Sequence, residues 1–152
     1  MKQVRVIALG SEDASDDGAA IAAVRRLRAD PDTEIVIAGR PGVGLLDLLD
    51  PAVPTVLTDV VAGAGEAGYI HEVPLAALLE RALALDPVSS HGLGPAEALR
   101  LGRALGRALP PGIFVGIAGA RFEPGHTRSK EVERAIDDAV DAIAAAIDAL
   151  RA

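Results

Sequence analysis

Val4-Arg5-Val6-Ile7-Ala8-Leu9-Gly10 opens the chain's first apolar run, Ser11-Glu12-Asp13-Ala14-Ser15-Asp16-Asp17-Gly18 follows, and Ala19 to Leu27 comes next. A short, mostly apolar run that stops at glycine is how a strand buried on both faces reads. The polar stretch after it reads as a loop. In the third piece Ile21, Val24 and Leu27 recur at helical spacing. Strand, polar loop and helix in that order predict the start of an α/β fold built on a parallel sheet.

The rest of the chain repeats the theme. A second buried strand is predicted over Glu34 to Ala38, leading through Gly39-Arg40-Pro41-Gly42 into a short helix with Leu45, Leu46, Leu48 and Leu49. Pro54 to Thr58 reads as a third strand closed by Asp59. Gly68 to Val73 reads as a strand whose connection is too short for a crossover, so it is expected to lie antiparallel at an edge. Helices are predicted over Leu75 to Leu85 and from Pro95 to Leu109, the latter with Ala98, Leu101 and Leu105 on its inner face. A last strand is expected over Ile113 to Ala118, with a polar loop from Gly119 to Arg128 after it. The C-terminal pattern is the clearest: Val132, Ile136, Val140, Ile143, Ile147 and Leu150 draw one apolar stripe along a long helix. Together these elements predict a single domain over residues 1–152, an α/β three-layer sandwich. Its sheet is mostly parallel and five-stranded with an antiparallel edge strand, and helices cover both faces.

Composition narrows the function. Half of the 152 residues are hydrophobic but only three are aromatic, so the core is aliphatic. A net charge of −7 argues against nucleic-acid binding, which needs a basic surface. With no cysteine there is no disulfide, thiolate metal site or cysteine nucleophile. The N-terminal apolar run is too short for a signal peptide, and no stretch is long enough to span a membrane. A cytoplasmic monomer is the resulting expectation.

In an open parallel sheet, ligands bind where strands end and their loops enter the following helices. The polar residues leaving those ends are Asp16 and Asp17, Arg40, Asp59, and the group Arg121, Glu123 and His126. His91 precedes a helix and could open onto the same edge. Two carboxylates and an imidazole there would suit a borderline divalent cation such as nickel, zinc, manganese or iron. Each residue also has a plainer reading. Asp16 or Asp17 fits the N-cap of the next helix, and Asp59 could begin a turn. Ser89, Ser90 and His91 could be loop and capping residues, and His71 sits in the edge strand in a structural place. Arg100, Arg103 and Arg107 read as a solvated helix face rather than a dock for an acidic partner. The glycine clusters match neither a dinucleotide fingerprint nor a phosphate loop. Ser90, His91 and Asp59 make a poor hydrolytic triad, because Ser90 is not on a nucleophile elbow.

The ordered set of motifs resembles the hydrogenase maturation endopeptidases, which trim the C-terminal tail of the [NiFe]-hydrogenase large subunit after nickel insertion. Gly10 with Asp16-Asp17-Gly18 corresponds to that family's opening motif, and Ala38-Gly39-Arg40-Pro41-Gly42 to its second loop. Thr58-Asp59-Val60 corresponds to the acid closing its third strand, Ser89-Ser90-His91-Gly92 to its Ser/Thr-Ser-His segment, and Val115-Gly116-Ile117 to its last strand. The resemblance implies that Asp17, Asp59 and His91 form the metal-engaging and catalytic set, with Arg40 and Gly42 facing substrate. It implies an endopeptidase acting on a nickel-loaded precursor, met transiently, with the nickel carried by that precursor and little metal held by the free protein. Ser11 stands where the family usually has Asn, Ile37 and Arg40 stand for an Asp and a Thr around the second loop, and Ala118-Gly119 stands for a polar-Pro pair. Ile37 and Arg40 favour the alternative of a non-catalytic relative that binds a metal or metalloprotein on the same fold.

Overall fold

A computed structural model describes residues 2–28, 30–80 and 94–152. Five strands, β1 (Val4–Leu9), β2 (Thr33–Gly39), β3 (Thr55–Ala62), β4 (Ile70–Pro74) and β5 (Gly112–Gly119), form one sheet in the order β2-β1-β3-β5-β4. All neighbours are parallel except β4 and β5, which are antiparallel. The expected antiparallel strand does lie at an edge. Three α-helices, α1 (Ala19–Arg25), α2 (Pro95–Ala104) and α3 (Lys130–Arg151), and 3-10 segments over Gly42–Leu48 and Leu75–Leu79 cover the two faces.

Alternation along each strand splits the core in two. Val4, Val6, Ala8, Val56, Val115 and Ile117 face α1 and α3, joining Ile21, Val24, Ile136 and Ile143. Ile7, Leu9, Leu57, Val61 and Phe114 face the other way, against Leu45, Leu75, Leu78 and Leu99. The α3 stripe is as expected: Val132, Ile136, Ile143 and Ile147 are buried, and Val140 and Leu150 pack beside them.

Four expectations need correction. β2 is an edge strand with only β1 beside it, so Ile35 and Ile37 stay exposed rather than buried. β3 does not close at Asp59 but runs to Ala62, because β5 continues to pair with it as far as Gly119. The helix expected to reach Leu109 ends at Ala104, before Gly106 with its positive φ. Its inner face is Ala98, Leu99 and Gly102, with Leu101 and Leu105 exposed, because Gly102 packs against Leu46 where a Cβ would come within 2.7 Å of a Leu46 methyl. Within the helix predicted over Leu75 to Leu85, the described part is the 3-10 segment Leu75–Leu79; the remainder lies outside the described residues. Among the described residues no helix is long and apolar enough to cross a membrane.

Candidate active site

The order β2-β1-β3 contains the topological switch of the sheet. The chain leaves β1 toward β2 on one side, then crosses back to β3 on the other, and such a point opens a crevice at the carboxyl ends of the two central strands. Register deepens it. β1 pairs with β3 only as far as Ala8 opposite Thr58, so Asp59 is the first residue of β3 with no β1 partner. At that level β1 turns away through Gly10, at φ +120° and so close to the next turn that a Cβ would sit 2.1 Å from the Asp17 carbonyl oxygen. Only glycine can occupy it.

Asp17 lies in the 3-10 turn Ser15–Gly18 that follows, and its carboxylate is almost wholly buried. Its Oδ2 accepts three hydrogen bonds, from the Ser11 N–H at 2.8 Å and from Arg40 Nη2 and Nε at 2.7 and 3.1 Å. Arg40 reaches it from the end of β2. Across the crevice Asp59 is half-buried, and its Oδ1 accepts the Val60 N–H at 2.8 Å. Withdrawal from water pushes the Asp59 carboxyl up and the nearby Asp17 carboxylate adds to this. The Val60 N–H and the Arg40 charge offset them only in part, leaving it at about 8. Asp59 is therefore mostly protonated at neutral pH, beside the pair that Asp17 makes with Arg40.

The structure thus brings Asp17, Asp59 and Arg40 together on one edge. Gly42, at φ +58°, opens the 3-10 segment beyond Arg40 with nothing within 4 Å of where its Cβ would be. His91, Ser89 and Ser90 lie outside the described residues. Among the described residues no three carboxylate or imidazole side chains gather as a metal set. His126 does not join the site: it is exposed, 3.3 Å from the Glu12 carbonyl oxygen. Arg121 and Glu123 pair with each other at the surface. His71 bonds to the Ala64 carbonyl and packs edge-on against Tyr69.

The N-cap reading of the acidic pair is overturned. Neither the turn Ser15–Gly18 nor α1 has a side-chain cap, and Gly18 occupies the N-cap position of α1. Ser15, held at φ 54° with its hydroxyl donating to the Glu123 carbonyl, swings Asp16 the other way. There Asp16, fully buried, accepts the Ala120 and Arg121 N–H groups and both the N–H and hydroxyl of Ser129, the residue just before α3. Burial alone would raise its pKa, but these hydrogen bonds outweigh it and hold the carboxyl below the usual range. Sequence reasoning missed this role, and it missed Arg40 as the partner of Asp17. The available signal was an arginine directly after a strand-end glycine, at the same sheet edge as an unpaired acid.

No protein-family model and no curated protein matches the chain. Solved structures do. Hydrogenase maturating endopeptidase HybD from Escherichia coli superposes with a TM-score of 0.79 at 21% identity, over 96% of this chain and 92% of that one. The [NiFe] hydrogenase maturation protease HybD from Thermococcus kodakarensis gives 0.70 at 26% identity, over 95% and 99%. An E. coli endopeptidase solved in solution gives 0.74 at 22%, over 95% and 92%. The resemblance read in the ordered motifs is therefore met in three dimensions: over nearly its whole length this chain has the fold of the hydrogenase maturation endopeptidases.

Proposed function

We propose that this protein is an endopeptidase of the hydrogenase-maturation type, removing the C-terminal extension of a nickel-loaded [NiFe]-hydrogenase large-subunit precursor. The observation that carries the reading is the meeting of Asp17 and Asp59 in the crevice at the sheet's switch point, within this fold. Asp17 offers Oδ1, which has no donor among the described residues, and Asp59 offers a second oxygen free of the Val60 N–H. Two carboxylates suit a borderline divalent cation, and His91 would add the imidazole. The nickel is the precursor's cargo, so these side chains recognise it as part of the substrate. Asp59 must give up its proton to engage a cation, which makes recognition and proton release one event. Hydrolysis then consumes one water: the peptide C–N bond breaks, hydroxide goes to the carbonyl carbon and a proton to the leaving nitrogen. The proton that Asp59 releases on engaging the cation is one source of the proton that the leaving nitrogen takes.

A second reading, a relative that binds a metal or metalloprotein without cutting, is favoured by one observation, the Arg40 guanidinium on Asp17. One experiment separates them. Purified protein is incubated with a large-subunit precursor, with and without nickel, and the products are weighed by mass spectrometry. The peptidase reading expects a single truncation that needs nickel and is abolished in Asp59→Asn. Stable association with the loaded precursor and no truncation would establish the second reading instead.

A further inference from the structure

Arg40 is placed where a cation would be placed. Its Nε and Nη2 both fall on Oδ2 of Asp17, the oxygen already bonded by the Ser11 N–H. A purely structural arginine–carboxylate pair would more usually fork across both oxygens, one N–H to each. The stacking of three donors on one oxygen leaves Oδ1 without a donor among the described residues. The two partners are also unequally covered: the Asp17 side chain is 11% exposed and that of Arg40 is 35% exposed, so the arginine can withdraw into water while the acid cannot follow. The withdrawal needs only the side chain to swing, because the backbone beneath it is held by the pairing of Gly39 with β1 and by Pro41.

We propose that Arg40 is an internal counter-cation that occupies Asp17 in the free protein and must be displaced before a divalent cation can be held there. The proposal rests on the reading of Asp17 and Asp59 as the cation-engaging pair. Its consequence is selectivity. A hydrated free ion meets an acid whose charge is already matched and is repelled by the guanidinium beside it. A cation presented by a docked protein arrives with binding energy from elsewhere on that partner, and part of it can be used to move one exposed side chain. Arg40 thereby makes the site a poor trap for free metal without removing a ligand.

Titration calorimetry with nickel chloride and zinc chloride tests this on the whole chain. Arg40→Gln keeps a hydrogen-bonding side chain and removes the charge, and it should bind either ion roughly tenfold more tightly than the unaltered protein. The double variant Arg40→Gln with Asp17→Asn should lose that gain, since it depends on the released carboxylate. Unchanged or weaker binding by Arg40→Gln, or a gain that survives in the double variant, would overturn the proposal. Should Arg40→Gln fail to fold, the unaltered protein still decides the matter. Zinc at saturating concentration should abolish the hydrogen-bonded signature of the Arg40 Nε–H in nuclear magnetic resonance spectra, and a signal that persists unchanged refutes displacement. None of these readouts requires cleavage. If the metal affinities shift and no precursor is cut, the counter-cation stands and the peptidase reading falls; if precursor is cut and the affinities do not shift, the reverse holds.

Discussion

Asp59 shows how far one position in a strand can alter a carboxyl. It sits one residue beyond the pairing of β1 with β3, half-buried and facing Asp17, and its pKa is raised from 3.8 to about 8. In the unfolded chain it ionises normally, so folding at neutral pH must take up a proton here. The sign follows: the penalty is absent below the unfolded value of 3.8, grows as pH rises from there toward about 8, and is constant above it. Asp59→Asn removes the penalty. Urea unfolding of the metal-free protein should show the variant equal in stability near pH 4 and increasingly more stable than the parent up to pH 8. A variant less stable than its parent at pH 8 would mean the carboxyl is ionised and well supported in the fold. In the sequence this residue was legible as a strand-end acid. Its altered ionisation was not, because it arises from burial in the folded crevice and then from Asp17, which lies far away along the chain.

At the scale of elements, periodicity was the readable quantity and termination was not. The α3 stripe was legible because six apolar residues at steps of three and four admit a single burial face. Ile143 is fully buried in that stripe among residues of α1, β1 and β5. Ile143→Ala should cost about 2–5 kcal/mol, whereas Asp17→Asn should cost about 1–2 kcal/mol, since Arg40 is partly exposed and its pair is screened. Chemical denaturation of both variants checks the order, and the reverse order would place the structural weight in the crevice rather than in the helix. The end of β3 was illegible for a specific reason. Asp59 looks like a terminator locally, but residues 59–62 stay extended because β5 pairs with them up to Gly119. The inner face of α2 was misread for a similar reason: Gly102, not Leu101 or Leu105, sets how closely the helix approaches Leu46.

For the molecule as a whole, the direction of the strands, mostly parallel with an antiparallel one at an edge, was foreseeable from the alternation of strands and helices, while their order and the assignment of Asp16 and Asp17 to different tasks were not. Two adjacent acids in a loop carry the same local signal, and only the packing of the loop after β5 separates them. Asp16 fastens that loop and the start of α3 to the turn after β1. Asp16→Ala should leave four donors without their shared acceptor and cost about 1–3 kcal/mol. Because the Asp16 pKa is lowered in the fold, its contribution is fully present above 3.8 and fades as pH falls through the lower folded value. Thermal unfolding across the acid range should therefore show a slope in the parent protein that is reduced in Asp16→Ala. Equal slopes would show that other carboxylates govern acid stability. The same fastening makes the two sides of the crevice mechanically unlike. On one side residues 15–18 and 119–129 are clamped together through a fully buried carboxylate, while on the other the turn at residues 39–42 touches the crevice through one partly exposed arginine. One wall of the crevice is therefore braced by a buried charge, and the other meets it through a single side chain, so a change of residue at position 40 alters the opening without disturbing the brace.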